Sequence, residues 1–125
     1  MNKVKLGDCF ELSANFMIDT CVFDEAKQKA FRLVHGKPTL SVPPHIKYGN
    51  AWILLTNTQV LDLTIQRSAS KDKYYAKGQI KEEDCFVYTF DEMKALVNKT
   101  GHLGPWDLTE SDEEKQLREE LKGCI

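Results

Sequence analysis

Three residues of this chain have the types that acyl-transfer chemistry uses. Cys9 follows Asp8 and precedes Glu11, where a helix begins. Asn50 and Asp62 stand twelve positions apart in two alternating apolar runs. A cysteine thiolate can attack a carbonyl carbon, and a carboxylate can hold an imidazole in its working tautomer. The imidazole itself has to come from His35, His45 or His102, the three histidines of the chain, or the base from a partner or substrate. Asn50 cannot replace it as a base near neutral pH, although its amide can donate or accept a hydrogen bond. Absence of a general base costs roughly 10²–10⁴ in rate.

The elements that position these residues are readable around a hairpin. Ala51, Ile53 and Leu55 alternate with Trp52, Leu54 and Thr56. After Asn57 and Thr58, Leu61, Leu63 and Ile65 alternate with Val60, Asp62 and Thr64. Alternation on both sides of a short polar break predicts an antiparallel pair. Asn50 then opens the first strand and Asp62 lies inside the second, so the two can approach each other.

Upstream, a helix is expected from about Asp8 to Ile18, with Asp8 as cap, Glu11 completing a capping box and Leu12, Phe16 and Met17 as the apolar stripe. Cys9 at its first turn meets free backbone N–H groups and the positive end of the helix dipole, which favour a thiolate and can stabilise an oxyanion. The plainer reading is that Cys9 packs at a helix start. Asp24 to Lys29 suits a helical turn. Phe31 to His35 reads as a strand ended by Gly36 and Pro38. On that strand His35 faces the core or the site. Pro43, Pro44 and Gly49 mark a loop that carries His45 and can fold over a cleft.

Downstream, RSASKDK reads as a polar loop. Tyr74 and Tyr75 follow it, expected to pack over the sheet edge with wet hydroxyls. Cys85 to Tyr88 is a short strand. Thr89 and Glu92 predict a capping box for a helix from Phe90 to Lys99, with Gly101 as its left-handed terminator. Gly101 to Trp106 is a turn with an aromatic anchor, and it carries His102. Ser111 and Glu114 form a second capping pattern at the start of a charged helix from Thr109 to Lys122, whose apolar stripe is Leu117 and Leu121.

The Asn50-Ala51-Trp52 tripeptide resembles the His-Ala-Trp tripeptide of small papain-like and transglutaminase-like proteins of bacteria and phages. In that family an alternating strand, a turn and a second strand with an Asp follow the tripeptide, and a nucleophilic Cys opens a helix nearer the N-terminus. Cys9 and Asp62 match those positions, and Asn50 stands where the family has its histidine. Leu33 to Gly36, the Tyr74-Tyr75 pair and Gly101 to Trp106 are similar to further family segments, so the resemblance spans roughly residues 9–106. It implies an α+β, papain-like fold: an N-terminal helix carrying Cys9 on a mostly antiparallel sheet, a second helix, and a charged C-terminal helix. It implies a papain-like domain over 1–108 and a helix or tail over 109–125. It implies a cysteine-dependent hydrolase or acyl transferase acting on an amide or thioester, with Cys9, Asn50 and Asp62 at an incomplete site. The alternative is a catalytically inactive relative that serves as a protein-binding accessory of a phage or mobile element. In either case the partner is a protein or peptide.

Composition bounds the rest. One domain is expected from 125 residues, which can bury a core without staples. A net charge of −2 gives no footprint for nucleic acid or an anionic membrane. No apolar run reaches transmembrane length, and the start MNKVKLGDCF lacks the apolar segment of a signal peptide, so a cytoplasmic protein is expected. Cys9, Cys21, Cys85 and Cys124 form no Cys-x-x-Cys pair and have no histidine at zinc spacing. Neither a metal site nor a cofactor is expected, and disulfides are not expected in a reducing compartment.

Overall fold

The computed structural model describes residues 8–123, the side chains of 121–123 excepted. Helix α1 (Asp8–Cys21) and short α2 (Glu25–Ala30) precede strand β1 (Arg32–Gly36). After a loop come β2 (Asn50–Thr56), β3 (Gln59–Asp62) and β4 (Arg67–Ser70). Helix α3 (Lys71–Gly78), a 3-10 turn (Glu82–Asp84) and β5 (Phe86–Tyr88) follow, then α4 (Phe90–Thr100) and α5 (Asp112–Gly123). The fold is α+β, with a five-stranded sheet in the order β4-β3-β2-β1-β5. Every neighbouring pair is antiparallel.

The expected hairpin is β2 and β3, with Ile53 opposite Leu61 and Leu54 opposite Val60. Its alternation divides the core. On one face Leu33, Ile53 and Tyr88 pack with Ala14, Met17 and Cys21 of α1 and with Phe90 and Met93 of α4. On the other face Val34, Trp52 and Val60 pack against Tyr75 of α3. Strand residues of opposite parity thus reach opposite helices, as the pleat requires.

Several local expectations hold. Thr89 and Glu92 make both bonds of their capping box, and Gly101 ends α4 at φ 77°. Ser111 Oγ accepts from Glu114 N while Glu114 Oε1 accepts from Ser111 N. Others need correction. The segment read as a polar loop, Arg67 to Lys73, is an edge strand running into a helix, capped where Ser70 Oγ accepts from Lys73 N. Strand β3 ends at Asp62, so Leu63 and Ile65 lie beyond it and Ile65 is exposed. Leu12, expected in the apolar stripe of α1, is 37% exposed, and Phe86 of β5 is 39% exposed. The buried face of α1 runs through Cys9, Phe10, Ser13, Ala14, Met17 and Cys21, which turns Leu12 outward. Phe86 sits on the edge strand β5, with no strand on its outer side. Asp8 is itself the first helical residue described, so a cap before it lies outside the described residues, as do Cys124 and the Leu121 side chain. Among the described residues no helix is long and apolar enough to cross a membrane.

Candidate functional site

Cys9, in the first turn of α1, is 3% exposed. Its thiol donates to the Gly49 carbonyl oxygen at 3.9 Å, and the Ala51 backbone also hydrogen-bonds the sulfur. The sulfur therefore lies against the backbone on both sides of Asn50. Asn50 is the first residue of β2, opposite Gly36, and is 4% exposed. Its Nδ2 donates to the Tyr74 hydroxyl at 3.3 Å, and that hydroxyl donates to Asp62 Oδ2 at 2.6 Å. The other carboxylate oxygen, Oδ1, accepts from Thr64 N at 2.9 Å and from Thr64 Oγ1 at 2.6 Å. Tyr74 thus joins Asn50 to Asp62, while Cys9 is tied to the backbone on either side of Asn50.

The electrostatics differ from the sequence expectation. The helix start was expected to favour a thiolate. Burial instead pushes the Cys9 thiol up to about 11, and the Asp62 charge adds to the rise; backbone hydrogen bonds from Ala51, Phe10 and Cys9 itself oppose it. The helix-terminal donors are present, but desolvation of an anion outweighs them. Burial, then the Asp62 charge and the Cys9 sulfur, also raise the Tyr48 phenol. Burial and the bond to Asp62 raise Tyr74. Burial and the neighbouring Asp62 thus both favour the uncharged forms of Cys9, Tyr48 and Tyr74.

No histidine of the chain hydrogen-bonds the thiol. His35 is fully buried on the α1 face, opposite Ala51 and Phe86. Its ring is stacked on Trp106 at 5.2 Å, with Phe10 and Tyr88 edge-on at 4.9 and 5.1 Å. Neither ring nitrogen has a hydrogen-bond partner among the described residues. Burial lowers its pKa to about 4, against the pull of Asp107. His45 is exposed in the loop before β2, with Nδ1 at 3.1 Å from Leu40 O. His102 is exposed in the turn after α4, and its Nδ1 accepts from Gly104 N at 3.1 Å.

Two residues essential to this geometry have no site role in the sequence reading. Tyr74 is expected from sequence to pack over the sheet edge with a wet hydroxyl. Its hydroxyl is in fact the link between Asn50 and Asp62, and that of Tyr75 accepts from Trp52 Nε1 at 3.3 Å. The Tyr-Tyr pair was the available signal, but its partners depend on α3 lying across the sheet. Glu114 is the second. Buried at the start of α5, its Oε2 accepts from Gly49 N at 2.8 Å, and its Oε1 pairs with Lys37. It fixes the strand entry whose carbonyl accepts the hydrogen bond of the Cys9 thiol.

Beside the cluster a cleft of about 500 Å³ opens between α3, the ends of β3 and β4, and the loop before β2. Asp62 and Tyr74 lie in its floor, and Pro38 to Ser41 with Tyr48 border it. Among the described residues no group of three or more His, Cys, Asp or Glu side chains could hold a metal ion. No family model matches the chain, and neither does any curated protein or solved structure.

Proposed function

We propose that this chain is a cysteine-hydrolase-like protein of the papain-like and transglutaminase-like type whose catalytic cluster is chemically silent, and that it acts by binding a protein or peptide. The observation that carries this reading is the closed chain from Asn50 through Tyr74 to Asp62. In a working site of this kind the carboxylate must meet the imidazole directly. Here Oδ1 already accepts two hydrogen bonds from Thr64, and the Tyr74 hydroxyl stands between Oδ2 and Asn50. An amide replaces the base, and the thiol is buried, protonated and bonded to a carbonyl. Each of these features lowers nucleophilicity, and all act together. The juxtaposition of Cys9 with the start of β2 supports the family reading; the satisfied hydrogen bonds favour binding over turnover. An active hydrolase would need a histidine at the thiol, and the histidine rings make their contacts elsewhere.

The test restores the missing base. Asn50→His alone meets Tyr74 on Asp62. Asn50→His with Tyr74→Phe frees Oδ2 to orient the new imidazole. The double variant should alkylate at Cys9 at least about tenfold faster than wild type at neutral pH, because an adjacent imidazolium stabilises the thiolate. Circular dichroism establishes that both variants are folded. Folded variants with wild-type Cys9 rates would remove Asn50 from the base position and end the family reading.

A further inference from the structure

We propose that the cleft beside Asp62 receives an acidic peptide segment with an apolar anchor residue. The proposal rests on the binding reading above and names the class of partner. Three cations, Arg67, Lys73 and Lys77, line the cleft. None of them is in an ion pair among the described residues, whereas Lys71 on the same helix is paired with Glu82. Lys73 and Lys77 are four apart on α3, so they share a helix face and repel each other. Arg67 is paired in register with Asp62, which places both on the α3 side of the sheet. Asp62 is the one carboxylate among the described lining residues, so the three cations exceed it by two. The cleft therefore carries net positive charge in a chain whose net charge is −2.

A folded protein gains nothing by gathering like charges around a concavity, so the arrangement points to an anionic ligand. The rest of the lining selects a peptide. Leu40, Ile65 and Ile80 provide an apolar wall, and Ile65 is 58% exposed. Such a wall suits an aliphatic side chain between acidic ones. Three cations neutralise too few phosphates to hold a nucleic acid at physiological salt, and the negative chain as a whole repels one.

The experiment titrates the intact, isotope-labelled chain with acetyl-Glu-Glu-Leu-Glu-Glu-amide and follows backbone amide shifts. The expected result is saturable shifts at Thr64, Ser68, Ala69 and Tyr74, weakening as salt rises. The Gln-Gln-Leu-Gln-Gln counterpart should bind at least tenfold more weakly. Lys73→Glu with Lys77→Glu should weaken the acidic peptide at least tenfold, and Arg67→Gln should weaken it separately, with melting temperatures checking that each variant is folded. No cleft shifts at millimolar acidic peptide would overturn the proposal, as would equal binding of the glutamine peptide. Tighter seating of a single-stranded oligonucleotide in the same cleft would overturn the choice of ligand class. Failure here with Cys9 still inert leaves the silent-site reading standing; a reactive Cys9 with peptide bound does the reverse.

Discussion

Acidification below neutrality should destabilise this fold through His35. His35 is enclosed by Phe10, Tyr88 and Trp106, with no hydrogen-bond partner for either nitrogen among the described residues. On its remaining side, a Cβ on Gly104 would lie 3.0 Å from His35 Cε1. The folded protein therefore holds the neutral ring, and burial lowers its pKa from 6.5 to about 4, with Asp107 the one charge opposing the fall. The unfolded chain binds the proton more tightly, so stability rises with pH between these two values. His35 imposes no penalty above 6.5, an increasing one as pH falls from there, and the full penalty below about 4. At about 1.4 kcal/mol for each tenfold change in proton affinity, the full penalty is about 3 kcal/mol. Urea unfolding across that range, in wild type and His35→Phe, measures it. The variant keeps an aromatic ring and removes the titration, so its unfolding free energy should lose most of the slope in this window. Equal slopes in the two proteins would refute the argument, whatever their absolute stabilities.

Two further perturbations probe the frame around the cluster. Glu114→Ala should cost about 2–3 kcal/mol in urea unfolding, because it leaves Gly49 N and Lys37 without their partner. Amide exchange should show α5 opening with it; unchanged protection of α5 would mean that Glu114 does not dock the helix. Gly36→Ala places a Cβ 2.6 Å from Trp52 Cη2 and 3.0 Å from Cys85 Sγ. Both neighbours are ring or sulfur atoms in a packed core, so about 1–3 kcal/mol of destabilisation should appear in thermal melts, and an unchanged melting temperature would show that Trp52 can yield.

The sequence disclosed what depends on neighbours along the chain. Alternation identified β2 and β3, and the Thr89 and Ser111 capping patterns identified two helix starts. Strand β4 escaped because an edge strand needs no apolar alternation, and Arg67, Ser68 and Ala69 are all exposed. Helix α3 escaped with it, since Lys71 to Gly78 buries only Tyr75 and carries lysines elsewhere. At the cluster, the resemblance of the Asn50-Ala51-Trp52 stretch and its surroundings pointed to Cys9, Asn50 and Asp62. Their chemical state did not follow from spacing. A helix start favours a thiolate only when solvent or a cation supports the charge, and here Gly49, Ala51 and Phe10 enclose the sulfur. The role of Tyr74 depends on where α3 lies, which no local pattern encodes.

The silent-site account is tested most directly at the Cys9 thiol. Alkylation of the native chain is followed from neutral to strongly alkaline pH, with each cysteine resolved by peptide mass mapping and the unfolded chain as control. The account predicts that Cys9 in the folded protein reacts far more slowly than in the unfolded chain at neutral pH, its rate climbing only toward about 11. A native Cys9 that reacts faster than the unfolded control, with an inflection below that of an ordinary thiol, would contradict it.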